Sequence, residues 1–192
     1  MRFLEEQSGI SRLSLMENAG KAVYKAINQR LELKDKKILI VCYHGNNGGD
    51  GFVAAGYLSD EAETDVLFIG DESKLKKESL ANFKKLEHNK KVQFLVDDEV
   101  DFDAYDIIVD AILGIGIKGR LNKNISAIID DINNSKAYKV SVDIPTGLDP
   151  DTGLIVDKCV NADLIVTFHD MKKGLEKLQD KTIVADIGLP ES

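Results

Sequence analysis

Seven short runs rich in Val and Ile recur along the chain, at residues 37–42 (KILIVC), 64–69 (TDVLFI), 92–96 (VQFLV), 106–111 (DIIVDA), 139–143 (KVSVD), 163–168 (DLIVTF) and 182–186 (TIVAD). Uninterrupted apolar runs such as Ile38-Leu39-Ile40-Val41 suit strands covered on both faces, because successive side chains of a strand point to opposite sides. Residues 11–32, 51–59, 72–88, 123–134 and about 170–179, which lie between these runs, have helical character. Strands alternating with helices predict βαβ units around a mostly parallel sheet. In the first helix Leu15, Ala19, Ala22, Val23, Ala26 and Ile27 form one apolar stripe that packs on the sheet. Two N-caps compete for its start: Ser14 with Glu17 in a capping box, and Ser11.

The 192 residues are enough for one domain with its own core, and only three prolines are available to stiffen a linker. A net charge of -8 opposes a nucleic-acid partner, since phosphate backbones are bound by clustered Lys and Arg. The run Lys74-Leu75-Lys76-Lys77, with Glu72 and Glu78 beside it, reads as a solvated helix face. Cys42 and Cys159 lack a short metal-binding spacing and are expected to be reduced and structural. No apolar stretch reaches the ~20 residues that cross a bilayer, and Met1-Arg2-Phe3-Leu4-Glu5-Glu6 lacks the apolar core of a signal peptide, so the expected location is the cytoplasm. No internal repeat is visible. The final residues, Asp186-Ile187-Gly188-Leu189-Pro190-Glu191-Ser192, suit either a natural terminus or a junction with a further domain.

Ligands of open α/β sheets bind beyond the carboxyl ends of the strands, so the segments that follow strands are the candidate sites. The first is Gly45-Asn46-Asn47-Gly48-Gly49-Asp50-Gly51. Its glycines permit positive φ and close approach of a ligand, and the helix that follows offers free N–H groups to an anion. It is neither a GxGxxG fingerprint nor a P-loop, which removes support for ATP-type phosphoryl transfer. Read as an ordinary turn, its Asp50 is the helix N-cap. The second is Asp110-Ala111-Ile112-Leu113-Gly114-Ile115-Gly116-Ile117-Lys118-Gly119-Arg120. An Asp at the end of an apolar strand must cap a turn, bind a cation or handle a proton. Lys118 and Arg120 are counter-charges for phosphate, or else solvated residues of a surface loop. The third is Asp143-Ile144-Pro145-Thr146-Gly147-Leu148-Asp149, a tight turn holding Asp143 and Thr146 at a strand tip. Asn47, Asp110, Asp143 and Thr146 would then meet at one sheet edge, an all-oxygen set suited to a hard cation and unsuited to zinc. His88 reads as a surface residue, whereas His44 and His169 follow strands and are candidates to line the pocket.

Together, these blocks resemble the YjeF N-terminal domain family, the NAD(P)H-hydrate epimerases. The resemblance runs from Leu15-Met16-Glu17-Asn18-Ala19-Gly20 through the three segments above to Lys172-Lys173-Gly174-Leu175 and Asp186-Ile187-Gly188-Leu189-Pro190. It implies a Rossmann-like three-layer αβα sandwich, with residues 1–192 forming one epimerase domain. The implied reaction inverts C6 of the hydrated nicotinamide ring of NADHX or NADPHX, assisted by a potassium ion. By this resemblance Asn46, Asn47, Gly48, Gly49 and Asp50 hold the dinucleotide, and Asn47, Asp110 and Thr146 ligate K+. Gly114, Ile115, Gly116, Ile117, Lys118, Gly119 and Arg120 close on the phosphates. Asp143 faces the reacting ring as acid and base, and Lys118 is the second candidate for proton handling. The implied partner is an NAD(P)H-hydrate dehydratase, fused in some members, and a homodimer stays open. The chain departs from the family pattern at Tyr43 and at Thr167-Phe168-His169, where relatives carry glycine at the first and last positions. Two other readings stand beside the epimerase: a non-catalytic nucleotide- or RNA-binding scaffold of the same fold, and a dehydrogenase, which the missing GxGxxG fingerprint disfavours.

Overall fold

The computed structural model describes residues 9–96, 100–115, 121–155 and 157–190. Its strands are β1 (Lys37–Cys42), β2 (Glu63–Phe68), β3 (Val92–Leu95), β4 (Ile107–Ala111), β5 (Tyr138–Val142), β6 (Leu164–Phe168) and β7 (Thr182–Ala185). Every strand expected from sequence is present, shifted by at most one residue at either end. All neighbours pair in parallel, in the order β3-β2-β1-β4-β5-β6-β7. The order reverses direction between β1 and β4, which places the crevice of this doubly wound sheet at their carboxyl ends.

The α-helices are α1 (Arg12–Arg30), α2 (Asn46–Leu58), α3 (Lys77–Glu87) and α4 (Lys123–Asn134). The twofold alternation of the strands sorts the core into two layers. Ile38, Ile40 and Cys42 of β1 pack with α1, α2 and α3, while Leu39 and Val41 face α4. Phe52, Phe68, Phe83 and Phe94 interlock on the first side in edge-to-face and tilted pairs, with ring centroids 5.1–5.6 Å apart. A third cluster of Ile144, Leu148, Ala162, Ile165 and Leu175 closes the core beneath the turns after β5 and β6. The three-layer αβα arrangement expected from the resemblance is thus present.

Ser11, rather than Ser14, caps α1: its hydroxyl accepts from the Ser14 N–H at 3.1 Å. Glu17 turns instead to the Tyr57 hydroxyl, 2.7 Å away. The stretch 72–88 divides into a 3-10 turn, Glu72–Lys74, and α3, because Leu75 and Lys76 are extended. The stretch after β6 is a 3-10 segment, Lys173–Lys181, kinked at Leu178. Among the described residues no helix is long and apolar enough to cross a membrane.

Candidate active site

The segment read as a glycine loop is mostly helix. α2 begins at Asn46, with Gly45 as an N-cap that makes no side-chain bond, so Asp50 lies within the helix and is not its cap. None of its glycines takes a positive φ. Their role is close packing instead. A Cβ on Gly51 would lie 2.5 Å from Ala111 Cβ and 2.7 Å from Cys42 Sγ, and one on Gly49 would meet Met16 Sδ at 2.6 Å. Missing side chains let the start of α2 press against β1, β4 and α1. Its unbonded N-terminal N–H groups then open onto the crevice above β1.

A cavity of about 750 Å3 occupies that crevice. Asn46, Asn47 and Asp50 line it from α2, Ile112, Leu113, Gly114 and Ile115 from the segment after β4, and Asp143 from the tip of β5. The three segments picked from sequence therefore meet in one place. Arg12, Leu15, Met16 and Ala19 of α1, with Ile187 and Leu189, form a wall that sequence reading did not anticipate. In the sequence Leu15 and Ala19 read as part of a core stripe, and none of these residues carries a site role. His44 lines the pocket as expected; burial first, then Lys74, lowers its pKa. His169 does not line it. Gly116, Ile117, Lys118, Gly119 and Arg120, expected to bind phosphate and handle a proton, fall outside the described residues.

Asp110 and Thr146 form a closed network behind the pocket. Asp110, 1% exposed, accepts the Thr146 hydroxyl at 2.6 Å and the Ile112 N–H at 3.3 Å on Oδ1. Its Oδ2 accepts the Ser141 hydroxyl at 2.8 Å and the Thr146 N–H at 2.9 Å. Ser141 lies opposite Asp110 in the β4–β5 register, which sequence alone does not reveal. Burial raises the Asp110 pKa and the four hydrogen bonds oppose that rise. Among the described residues no cation pairs with this carboxylate. On the cavity wall, Asn47 is 6% exposed, and both its amide Nδ2 and Oδ1 lack a hydrogen-bond partner among the described residues. A buried orphan amide is costly, as is a buried carboxylate without a counter-charge, and a cation held by both would remove the two deficits. The oxygen-only donors fit a hard ion.

Asp143 is built differently. β5 ends in a γ-turn: Asp143 has φ +64 and the Ile144 N–H donates to Val142 O at 2.8 Å. β6, its neighbour, ends the same way, with His169 at φ +66 and Asp170 N–H donating to Phe168 O at 2.8 Å. The second turn folds the chain back so that Lys172 Nζ lies 2.9 Å from Asp143 Oδ1 and donates to Phe168 O at 2.7 Å. Thr167 Oγ1 also donates to Asp143 Oδ1, at 3.3 Å. The remaining oxygen, Oδ2, faces the segment after β4, 3.2 Å from where a Cβ on Gly114 would stand. Lys172 and Thr167 are the partners that sequence reading missed. The Lys172-Lys173-Gly174 block was visible, but its meeting with Asp143 depends on two turns that no local pattern announces. Asp50, on the same cavity, has its carboxyl pushed well above the ordinary range by burial and then by the charge of Asp143.

Residues 12–174 match the family model described as YjeF-related protein N-terminus. The chain belongs to this family. Among similar YjeF-related proteins, the Bifunctional NAD(P)H-hydrate repair enzyme Nnr of Archaeoglobus fulgidus is 45% identical over 97% of this chain. The chain spans 39% of the length of that relative. The NAD(P)H-hydrate epimerase of Nitrosopumilus maritimus is 39% identical, over 95% of this chain and 88% of its own length. Among solved structures, yeast ynu0 superposes with a TM-score of 0.81 at 26% identity, covering 93% of this chain and 79% of that one. The YjeF-related match spans α1 to Gly174 and so includes Asn47, Asp110, Asp143, Thr146 and Lys172.

Proposed function

We propose that this YjeF-related chain is an NAD(P)H-hydrate epimerase, interconverting the R and S forms of hydrated NADH and NADPH. The observation that carries the reading is the convergence of Asn47, Asp50 and Asp143 on one cavity at the sheet's switch point, with the Asp110–Thr146 network behind it, in a chain whose high-coverage relative bears that name. C6 of the hydrated ring carries a hydroxyl next to the ring nitrogen. When the C6–O bond breaks, the nitrogen lone pair forms an iminium and the oxygen leaves as water after taking a proton. Water then adds to the opposite face and gives a proton back, so no atom is gained or lost. Asp143, with one oxygen turned to the cavity, is the proposed proton-handling group, and its charge stabilises the iminium between the two steps.

The unbonded N–H groups at the start of α2 are the proposed seat of the substrate phosphates, together with Lys118 and Arg120 from sequence. Asn47, Asp110 and Thr146 would hold a potassium ion, for which the orphan amide of Asn47 and the unpaired charge of Asp110 speak. Such an ion supplies positive potential beside the ring and phosphates. An epimerase of this kind would serve a dehydratase specific for one epimer, in line with the bifunctional name of the Archaeoglobus relative. The retained pocket chemistry favours an enzyme over a scaffold. Incubation with the R epimer of hydrated NADH or NADPH, with and without potassium, should yield the S epimer by chromatography. No conversion in either condition would falsify the epimerase reading.

A further inference from the structure

We infer that Lys172 is a positioning residue of this site: its ammonium holds Asp143 by Oδ1 and so keeps Oδ2 aimed into the cavity. The inference rests on the epimerase reading for its kinetic consequences, but its geometry stands apart from it. Lys172 does not line the cavity, whereas Asp143 does. The ion pair is 2.9 Å long and its side chains are 12% and 10% exposed, so solvent screens it little. Lys172 is itself tied down, because Nζ also donates to Phe168 O at 2.7 Å.

The arrangement answers a mechanical problem. Asp143 sits at φ +64, a strained value for a residue with a side chain, and strain of this kind persists only where its surroundings over-determine it. Its backbone is held by the N–H bond to Val166 O, 2.8 Å, and its carboxylate by Lys172 and Thr167. All the side-chain bonds fall on Oδ1. Gly114 adds nothing that would cover Oδ2, since a side chain there would stand 3.2 Å from that oxygen. The charged and polar groups around Asp143 are thus Lys172 and Thr167 behind it, and Asp50 and Asn47 of α2 across the cavity.

The test uses the full chain and purified R and S hydrates of NADH. Lys172→Met should lower kcat about 10- to 100-fold, the worth of a charge-assisted hydrogen bond, with KM within about twofold of wild type. Lys172→Arg should recover the greater part of kcat. In an Asp143→Asn background, Lys172→Met should cause no further loss, because the two residues act as a unit. A Lys172→Met enzyme with wild-type kcat, or losses that multiply in the double variant, overturns the inference. A wild-type chain inactive on the hydrates would sink the epimerase reading alone. The positioning role is then read from a crystal structure of Lys172→Met, in which Asp143 should leave its positive φ or turn Oδ2 from Gly114. An unmoved Asp143 overturns it.

Discussion

The tips of β4 and β5 each carry a buried aspartate, and the two are used in opposite ways. Asp110 is saturated: four donors from Ile112, Ser141 and Thr146 occupy both its oxygens. Asp143 is polarised: its partners crowd one oxygen, the backbone is strained, and the other oxygen faces the cavity. A carboxylate held on both oxygens by neutral donors is fixed in place and keeps a negative charge that a cation beside it would answer. One with a free oxygen can exchange a proton. Burial alone, 1% and 7% exposed, does not separate them; the distribution of hydrogen bonds does.

The comparison predicts that loss of Asp143 removes chemistry while loss of Asp110 removes structure. Asp143→Ala should lower the epimerisation rate by about 10²- to 10⁴-fold, the range of a positioned proton-transfer group, with the thermal transition still cooperative. Asp110→Ala leaves the Ser141 hydroxyl and the Ile112 and Thr146 N–H groups without this acceptor, and the Thr146 hydroxyl with Leu113 O, 3.2 Å away, alone. Urea unfolding should show a loss of about 3 kcal/mol or more, since each stranded group costs ~1–3 kcal/mol. If the two variants changed places in these assays, the contrast would be broken.

Gly51→Ala sharpens it from the packing side, because the added methyl meets Ala111 next to Asp110. A stability loss of about 1–3 kcal/mol from overpacking should appear in the same urea experiment. Asp50→Asn should raise the melting temperature near neutral pH, by about 2–4 °C for each kcal/mol relieved. The sign follows from the raised pKa of Asp50: its carboxyl favours the fold below the unfolded-state value of about 4, and that contribution is lost as pH rises through the folded value. Below about pH 4 the variant and wild type should therefore melt together. Asn47→Leu should be neutral or stabilising without potassium, because it removes an orphan amide. Wild type, and not this variant, should gain melting temperature when KCl replaces NaCl, as expected for a ligand that binds only the folded state.

Much of the molecule was legible in the chain. Each strand was visible because a strand buried on both faces must be continuously apolar, and that requirement is local. The site segments were visible because ligands of such sheets gather at strand ends, so position along the chain predicts position in space. The start of α2 is helix where its glycines suggest a loop, and the reason is physical. Glycine permits a loop and equally permits a helix to approach a neighbour, and what distinguishes them is the neighbour: Cys42, Ala111 and Met16.

By itself the sequence determined the element order, the two-sided core and the strand tips that carry polar groups, all of which follow from local hydrophobic period. Only the tertiary structure decided which oxygen each aspartate keeps free. That depends on the β4–β5 register placing Ser141 against Asp110, and on two γ-turns bringing Lys172 under Asp143. Hydrogen bonds and ion pairs are short-ranged and directional, so they are settled by where distant segments of the chain meet.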